Sequence, residues 1–274
     1  MLIEIPNRIV SVNNFAIRYL DYHYSDVDKP NNKEVLLLLH GIGASAERWL
    51  PVVPFLTRYF RLIIPDIIGF GYSDKPTVEY SMKYFVEFIS EFLKCLRINR
   101  AHVVGSSFGG LVASELALKF SRVVRRMILV SPAGTMKTAT KTLDEYILAA
   151  LYPTFENARQ AFTDMSYDPK MVTDDVIKDF VNRMKLPNAK YAFMSTLLGI
   201  RNTDDLQNRL TDIASPTLLI WGREDRMIPC HYANEYMKVP NSKLALIPKA
   251  GHTPFTETPN LFANIVLEFL SEFQ

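Results

Sequence analysis

The sequence predicts an α/β protein with a mostly parallel central sheet and helices on both faces. Short apolar segments alternate with segments of helical periodicity along most of the chain, which is typical of strands joined by crossover helices. The predicted strands are residues 35–39, 62–65, 102–104, 127–131, 217–221 and 244–247. Nearer the N-terminus, Asn13 and Asn14 separate the β-prone runs 9–12 and 15–20. This pattern predicts a hairpin that adds an antiparallel edge to the sheet.

The alternation is interrupted once, between residues 133 and 213. This stretch has no convincing strand pattern, whereas its helical patterns cover residues 143–151, 155–165, 172–184 and 190–198, with breaks at Pro153, Pro169 and Pro187. We therefore expect a helical cap, residues 133–213, inserted into a core formed by residues 1–132 and 214–274. Some of the aromatic and methionine side chains of this cap are expected to cover an apolar pocket.

A candidate nucleophile lies between the strand 102–104 and the helical segment 110–120. The segment Gly105-Ser106-Ser107-Phe108-Gly109 matches G-x-S-x-G, and in a strand–turn–helix context this pattern is typical of a nucleophile elbow. The turn would hold Ser107 in a strained conformation, with the free N–H groups of the following helix aimed at the site. A simple connecting turn is the alternative interpretation, and the strand–turn–helix context favours the elbow.

A serine nucleophile needs a base, and His252 is the best candidate among the five histidines. His252 follows the strand 244–247 on a short loop and precedes the helical segment 260–273, so it can reach a cleft at the carboxyl edge of the sheet. The others have simpler interpretations: His102 in the core, His40 at a strand-to-loop turn, His23 in a polar loop and His231 at a helix start.

The acid that orients the base is expected between the serine and the histidine in chain order. The strand 217–221 leads into a loop with two carboxylates, Glu224 and Asp225. Asp225 is preferred, because the turn from Gly222 would bring it back over the strand end. An Asp after a strand is more often a helix N-cap or a turn residue. The ordered set Ser107, Asp225 and His252, each after its own strand, favours the catalytic interpretation.

Acyl transfer also requires N–H donors for the oxyanion. The backbone N–H of Phe108, directly after the nucleophile, is one candidate. The backbone N–H of Ile42 is the other, because the loop 40–43 follows the strand 35–39 and glycines flank Ile42 on both sides. Gly41 could also simply end the strand.

Five ordered motifs together resemble the α/β-hydrolase superfamily. They are His40-Gly41-Ile42-Gly43, the run 66–74 (DIIGFGYSD), Gly105-Ser106-Ser107-Phe108-Gly109-Gly110, the run 221–225 (WGRED) and Gly251-His252. The resemblance covers nearly the whole chain. It implies a Ser107–His252–Asp225 triad with Ile42 and Phe108 at the oxyanion hole. A serine nucleophile argues against haloalkane dehalogenases and epoxide hydrolases, which carry an aspartate there.

Within this superfamily the sequence is most similar to monoacylglycerol-lipase-like carboxylesterases and to meta-cleavage-product hydrolases. The second group usually has Asn before the nucleophile and Trp after the catalytic histidine, whereas this chain has Ser106 and Thr253. We therefore expect a serine esterase that cleaves carboxylic esters of small to medium acyl chains through an acyl-enzyme, without metal or cofactor. Thioesters and lactones would suit the same machinery. The alternatives are a C–C bond hydrolase of ring-fission dienones and a non-enzymatic ligand receptor.

Composition and charge fit a cytoplasmic enzyme. The formal net charge of +2 over 274 residues gives no electrostatic reason to expect nucleic acid as a partner. Cys95 and Cys230 are isolated and predict no disulfide framework. Residues 1–8 lack the pattern of a secretory signal, and no apolar stretch has the length of a bilayer span. The expected partner is a small apolar ester, with a homodimer possible.

Overall fold

The computed structural model describes residues 7–23, 33–201 and 206–272. Eight strands form one sheet: β1 (Asn7–Val12), β2 (Phe15–Tyr22), β3 (Val35–Leu39), β4 (Arg61–Pro65), β5 (Ala101–Ser106), β6 (Val124–Val130), β7 (Thr217–Gly222) and β8 (Lys243–Ile247). Their spatial order is β1-β2-β4-β3-β5-β6-β7-β8. Strands β1 and β2 pair antiparallel with each other, β2 pairs antiparallel with β4, and the remaining pairs are parallel. The predicted fold class is confirmed.

The N-terminal hairpin has the turn that its sequence predicts. Val12 pairs with Phe15, so Asn13 and Asn14 are the two loop residues. Both have positive φ, 51° and 68°, which is the backbone that a type I′ turn requires and that asparagine tolerates.

Alternate side chains of the central strands supply two separate apolar layers, because successive residues of a strand point to opposite faces. On β3, Leu37 and Leu39 join the cluster that contains Phe85 and Phe108, whereas Leu36 joins the cluster on the other face. The helices that cover these faces are α1 (Val53–Leu56), α2 (Met82–Cys95), α3 (Phe108–Lys119), α8 (Ala233–Tyr236), α9 (Pro254–Glu257) and α10 (Pro259–Ser271). The sheet is therefore buried on both sides, which keeps its carboxyl edge rigid.

Four longer helices lie between β6 and β7: α4 (Lys141–Leu151), α5 (Phe155–Met165), α6 (Asp174–Met184) and α7 (Ala189–Arg201). Short 3₁₀ turns occupy Ala46–Val52, Pro169–Met171, Leu206–Asn208, Leu210–Asp212 and Cys230–Tyr232. Within 133–201 and 206–213 the structure has no strand. The domain boundaries at 133 and 213 stay a prediction, and residues 202–205 and Phe273 lie outside the described residues. The name cap is used below for α4–α7.

Threonine N-caps set where three of the cap helices begin. The hydroxyls of Thr140, Thr154 and Thr173 each accept a hydrogen bond from the backbone N–H three residues on. Helix α6 therefore begins at Asp174 rather than at Val172, the first residue of the predicted apolar pattern. In the described part of the chain, no helix has the length and apolar character needed to cross a membrane.

Candidate active site

The predicted elbow is a sharp turn between β5 and α3. Ser107 has φ 54° and ψ −118°, a strained backbone for a residue other than glycine. A Cβ on Gly105 would lie 2.2 Å from the carbonyl oxygen of Gly109, and a Cβ on Gly109 would lie 2.4 Å from that of Leu39. Glycine is required at both positions because strand, turn and helix approach at backbone distance. The tight turn leaves Ser107 on the wall of a cavity beneath the cap.

The structure brings His252 and Asp225 into direct contact. His252 Nδ1 lies 2.8 Å from Asp225 Oδ2, and both side chains are buried. Asp225 Oδ1 accepts hydrogen bonds of 2.9 Å from the backbone N–H groups of Met227 and Ile228. Because an ionised carboxylate only accepts, the proton of the neutral imidazole lies on Nδ1, and Nε2 remains as the basic nitrogen.

The competing carboxylate points elsewhere. Glu224 Oε2 accepts from the backbone N–H of Ala250 at 3.2 Å, so it braces the loop that carries His252. The geometry therefore favours Asp225 over Glu224 as the residue that orients the imidazole. Both Ser107 and His252 line the same cavity, and the catalytic roles of the three residues stay a prediction.

The two predicted oxyanion donors belong to residues next to Ser107 or next to a residue that contacts it. Phe108 begins α3, so its N–H has no intrahelical partner. Gly41 packs against the nucleophile, since a Cβ there would lie 3.9 Å from Ser107 Oγ. Ile42 follows it and lines the cavity together with Phe108. The roles of Ile42 and Phe108 at an oxyanion hole also stay a prediction.

His40 holds the start of the loop 40–43, called the oxyanion loop for its predicted role, as is expected of a residue at the strand end. Its Nε2 accepts the backbone N–H of Ile67 at 3.0 Å, so its Nδ1 carries the proton and donates to the carbonyl of Gly41 at 2.7 Å. Burial lowers the pKa of His40, an effect larger than the opposing influence of Asp66. The neutral ring is the form that fits both hydrogen bonds.

The cavity has a volume of about 640 Å³ and is largely apolar. Its cap wall includes Leu143, Tyr146, Phe162 and Met165, and its core wall includes Leu111, Met227 and Ile228. Four cationic side chains also line it: Arg48, the buried Arg183, and the exposed Lys137 and Arg201. A cation withdrawn from water into an apolar cavity is costly unless an anion or a polar group compensates it, so Arg48 and Arg183, the two of these four that are not exposed, are relevant to what the cavity binds.

Arg48 is the less compensated of the two cations. Its Nη2 donates to Thr253 Oγ1 at 3.3 Å, and its guanidinium lies over the ring of Phe162 at 5.5 Å. In the described part of the chain it forms no ion pair with a carboxylate. Burial lowers the pKa of Arg48, and the positive charge of Arg183 lowers it further. Most of its N–H donors remain unused.

Arg183 is held more firmly. Its Nε donates to Asp179 Oδ2 at 2.8 Å, and its Nη1 donates to the carbonyl of Gly43 at 2.7 Å. The other oxygen of Asp179 accepts from the hydroxyl of Tyr72 at 2.7 Å. The side chain therefore links helix α6 of the cap to the loop that follows β3.

The remaining histidines lie outside the cavity wall. His102 is buried and bonds Glu34 at 2.9 Å, His23 lies 4.0 Å from Asp21, and His231 packs against Tyr232. Sequence reasoning did not single out Arg48 or Arg183, because a lone arginine in a helical pattern usually lies on a solvated face. Among the residues that the structure describes, no group of His, Cys, Asp and Glu side chains could hold a metal ion.

Comparison with known proteins agrees with this architecture. The family model of the alpha/beta hydrolase fold matches residues 34–259. A 2-hydroxy-6-oxononadienedioate/2-hydroxy-6-oxononatrienedioate hydrolase of Burkholderia vietnamiensis is 30% identical over 266 residues, 92% of this chain and 91% of that protein. A 2-hydroxy-6-oxo-2,4-heptadienoate hydrolase of Pseudomonas putida is 29% identical over 246 residues, 86% and 88% of the two chains.

The crystal structure of a meta-cleavage product hydrolase from Pseudomonas fluorescens IP01 has the same fold. It superposes with a TM-score of 0.84 at 28% identity, and the match covers 97% of this chain and 98% of that one. The protein therefore belongs to the α/β-hydrolase family, as its motifs predicted, and it is a hydrolase. These relatives are named for dienoate substrates rather than for esters.

Proposed function

We propose that the protein is a serine hydrolase that cleaves a carbon–carbon bond in 2-hydroxy-6-oxo-dienoates, using Ser107, His252 and Asp225. This reverses the ranking of the sequence analysis, in which a neutral ester came first. The names of the relatives support the change. The observation that carries it within this chain is Arg48, which has no carboxylate partner among the described residues and lies in the wall of a largely apolar cavity.

The charge of the cavity distinguishes the two substrate classes. A neutral acyl ester gains from apolar walls and needs no cation, so Arg48, which has no carboxylate partner among the described residues, would be desolvated without a compensating interaction. A 2-hydroxy-6-oxo-dienoate carries a carboxylate at one end of a flat conjugated chain. That carboxylate can take the unused N–H donors of Arg48, since guanidinium and carboxylate match geometrically. The fit is therefore better for the anion.

The chemistry follows from the donors at the site. The dienol first ketonises, moving its hydroxyl proton to the carbon beside the ketone. His252 Nε2 then takes the proton of Ser107, whose oxygen attacks the ketone carbon, and the amides of Ile42 and Phe108 bind the oxyanion. When the carbon–carbon bond breaks, its electron pair passes through the conjugated chain to the oxo group beside the carboxylate. His252 returns its proton to the resulting enolate, which leaves as a dienol, and the imidazole is neutral again. Water activated by His252 hydrolyses the acyl-enzyme, and Asp225 stabilises the imidazolium.

A carboxylic ester hydrolase remains the second candidate because of two side chains in the cavity wall. Ser106 and Thr253 occupy the positions where meta-cleavage product hydrolases usually have Asn and Trp, and both line the cavity. Thr253 Oγ1 accepts a hydrogen bond from Arg48. In this chain a hydroxyl and a guanidinium therefore take the place of the tryptophan side chain that the meta-cleavage product hydrolases usually have. The acyl-enzyme machinery is common to both candidates. The free thiols of Cys95 and Cys230 support a reducing, cytoplasmic setting for either activity.

The test compares a dienoate with its methyl ester and with p-nitrophenyl esters of graded acyl length. We expect kcat/KM to be highest for the dienoate, and Arg48→Met to reduce it by about 10- to 100-fold, the effect of one lost charge-assisted hydrogen bond. The same variant should leave kcat/KM for the methyl ester nearly unchanged. Arg159→Met is the matched control, since Arg159 is a cap arginine over the ring of Phe155 that does not line the cavity.

A preference for any neutral ester over the dienoate would overturn the dienoate proposal and leave the ester candidate. Ser107→Ala tests the shared machinery: it should abolish labelling by a fluorophosphonate probe while the circular dichroism spectrum stays native. Undiminished labelling of that variant would remove Ser107 as the nucleophile for both candidates.

A further inference from the structure

Three consecutive backbone carbonyls of the oxyanion loop each accept a hydrogen bond from a different side chain. The carbonyl of Gly41 accepts from His40 Nδ1, that of Ile42 from the hydroxyl of Tyr146, and that of Gly43 from Arg183 Nη1, all at 2.7 Å. His40 belongs to the core, whereas Tyr146 lies on α4 and Arg183 on α6 of the cap. Two of the three bonds therefore cross from the cap to the core.

These hydrogen bonds to carbonyl oxygens also fix the direction of a backbone N–H, that of Ile42. In a trans peptide the C=O and the N–H point in opposite directions, and the structure has no cis peptide bond among its described residues. The C=O of Gly41 shares its peptide plane with the N–H of Ile42, so the bond from His40 turns that N–H away from His40. The C=O of Ile42 belongs to the next plane, which Tyr146 fixes. Ile42 is thus held on both sides.

The Ile42 N–H is left available by this arrangement. Within the described chain it donates to no protein acceptor, although a buried N–H normally has a partner. Its residue follows Gly41, which packs against Ser107. An unpaired donor held rigidly beside a nucleophile is what oxyanion stabilisation requires, because preorganised donors need no reorganisation when charge develops.

We propose that Tyr146 is a positioning residue of the oxyanion hole: His40 fixes the peptide plane that carries the Ile42 N–H, and the cap, through Tyr146 and Arg183, holds the next two planes so that this orientation is kept. This inference rests on the proposed serine-nucleophile mechanism and is independent of whether the substrate is a dienoate or an ester. The cap then does more than enclose the substrate. Seating it on the core completes the site for the oxyanion.

The surroundings of Tyr146 fit a dedicated donor. Its ring packs among Phe162, Phe180 and Phe193, with centroid distances of 6.0, 5.6 and 6.2 Å. Burial raises the pKa of Tyr146 to about 12, so the hydroxyl keeps its proton throughout the neutral range. Gly43 has φ +69°, and a Cβ there would lie 3.2 Å from the tyrosine oxygen. The loop and the tyrosine therefore approach closely, and the positive φ favours glycine at position 43.

Tyr146→Phe tests the proposal because it removes the hydroxyl and keeps the ring. The readout is kcat and KM for a p-nitrophenyl ester and for the corresponding thionoester, whose sulfur accepts hydrogen bonds weakly. Losing a complete oxyanion donor lowers kcat by about 10²–10³-fold, so we expect about tenfold for a displaced one, with KM within twofold. The ratio of oxygen to sulfur substrate rates should fall, because the wild-type preference for oxygen depends on the N–H donor.

Tyr191→Phe is the matched control. Tyr191 is an exposed cap tyrosine whose hydroxyl donates to the carbonyl of Val78 at 3.1 Å, so its removal should leave kcat and the oxygen-to-sulfur ratio unchanged. If Tyr146→Phe keeps the wild-type kcat, or slows both substrates by the same factor, the hydroxyl is merely structural and the proposal is wrong.

The same set of proteins separates this inference from the proposed function. If the wild type carries no fluorophosphonate-reactive serine, both fail together. If the wild type is labelled at Ser107 and Tyr146→Phe is labelled equally fast, only the positioning role fails. Should Tyr146→Phe not fold, Arg183→Lys replaces it: this change keeps the charge, loses the fork that holds the Gly43 carbonyl, and should lower the oxygen-to-sulfur ratio. An unchanged ratio in Arg183→Lys then overturns the proposal.

Discussion

The two walls of the cavity are built in different ways. On the core wall, Ser107, Asp225 and His252 each follow a strand of the central sheet, where backbone hydrogen bonds and tight glycine turns leave little freedom. On the cap wall, the side chains come from helices that pack mainly through aromatic rings. Under the proposed mechanism, the rigid core supplies the reacting groups and Arg48, while the helical insertion supplies the apolar cover of the cavity and the final alignment.

The largest expected effect tests the core wall. Asp225→Asn should retain the fold but lower kcat by about 10⁴-fold, the effect of neutralising a triad aspartate in a serine protease, because the amide can stabilise the wrong imidazole tautomer. Steady-state rates measure this loss. Glu224→Gln is the control, since the side chain of Glu224 accepts a hydrogen bond from the backbone N–H of Ala250 and does not contact the imidazole. The opposite ranking of the two variants would show that Glu224 orients His252.

A smaller effect is expected where the two walls are fastened together. Glu257 accepts hydrogen bonds from the backbone N–H of Tyr167 on the cap side at 2.7 Å and from that of Gly251 beside His252 at 3.0 Å. The backbone N–H of His252 also donates to the carbonyl of Met165, at 2.8 Å. Glu257→Gln should lower the free energy of unfolding by about 1–3 kcal/mol, because one amide cannot accept both bonds.

Urea unfolding at neutral pH measures that change, together with kcat for any substrate that is turned over. Glu268→Gln, an exposed position on α10, is the control. A normal stability with a reduced kcat would mean that Glu257 aligns His252 without holding the cap. Normal values of both would show that this contact does not fasten the two walls.

The smallest effect concerns pH and acts on the core alone, because residues 133–213 contain no histidine. Burial lowers the pKa of His40 and of His102. Below the unfolded value of about 6.5, the unfolded chain binds more protons than the folded one, so stability falls as the pH falls and is fully present above it. The loss is at most about 1.4 kcal/mol per pH unit for each histidine.

Urea titrations at pH 7.5 and 5.5 measure this loss, and His102→Gln should remove part of it. His102 lies on β5 away from the cavity, so this variant should leave kcat at pH 7.5 unaffected. An equal loss of stability in His102→Gln and in the wild type would show that His102 does not contribute.

The fold was predictable because its signals are local. Apolar runs such as 35–39 and the Asn13-Asn14 turn predict strands from a few neighbouring residues alone. The chain order Ser107, Asp225, His252 follows from the topology of the fold. Small errors at element ends have local causes as well: Ser131 was assigned to a strand, yet its φ of 42° ends β6 at Val130.

The cap side of the site was not predictable in the same way. Tyr146 and Arg183 act through carbonyls more than 100 positions away in sequence, with separations of 104 and 140. The type of a residue does not predict which backbone carbonyl its side chain will hydrogen-bond. The proposed role of Arg48 likewise cannot be predicted without the cavity that surrounds it, because in the sequence Arg48 is one charged residue in a polar stretch before Trp49. For that reason the sequence ranked a neutral ester above an anionic substrate.

The position of the insertion has a consequence for how such enzymes diversify. Both ends of the cap join the core beside neighbouring strands, β6 and β7, so a different set of helices could be exchanged there without disturbing any strand register. A transplanted cap would nevertheless need a hydroxyl to replace Tyr146 and a cation to replace Arg183. Recombination that exchanges the cap, and with it the substrate range, is therefore limited to caps that can donate hydrogen bonds to two backbone carbonyls of the recipient core, those of Ile42 and Gly43.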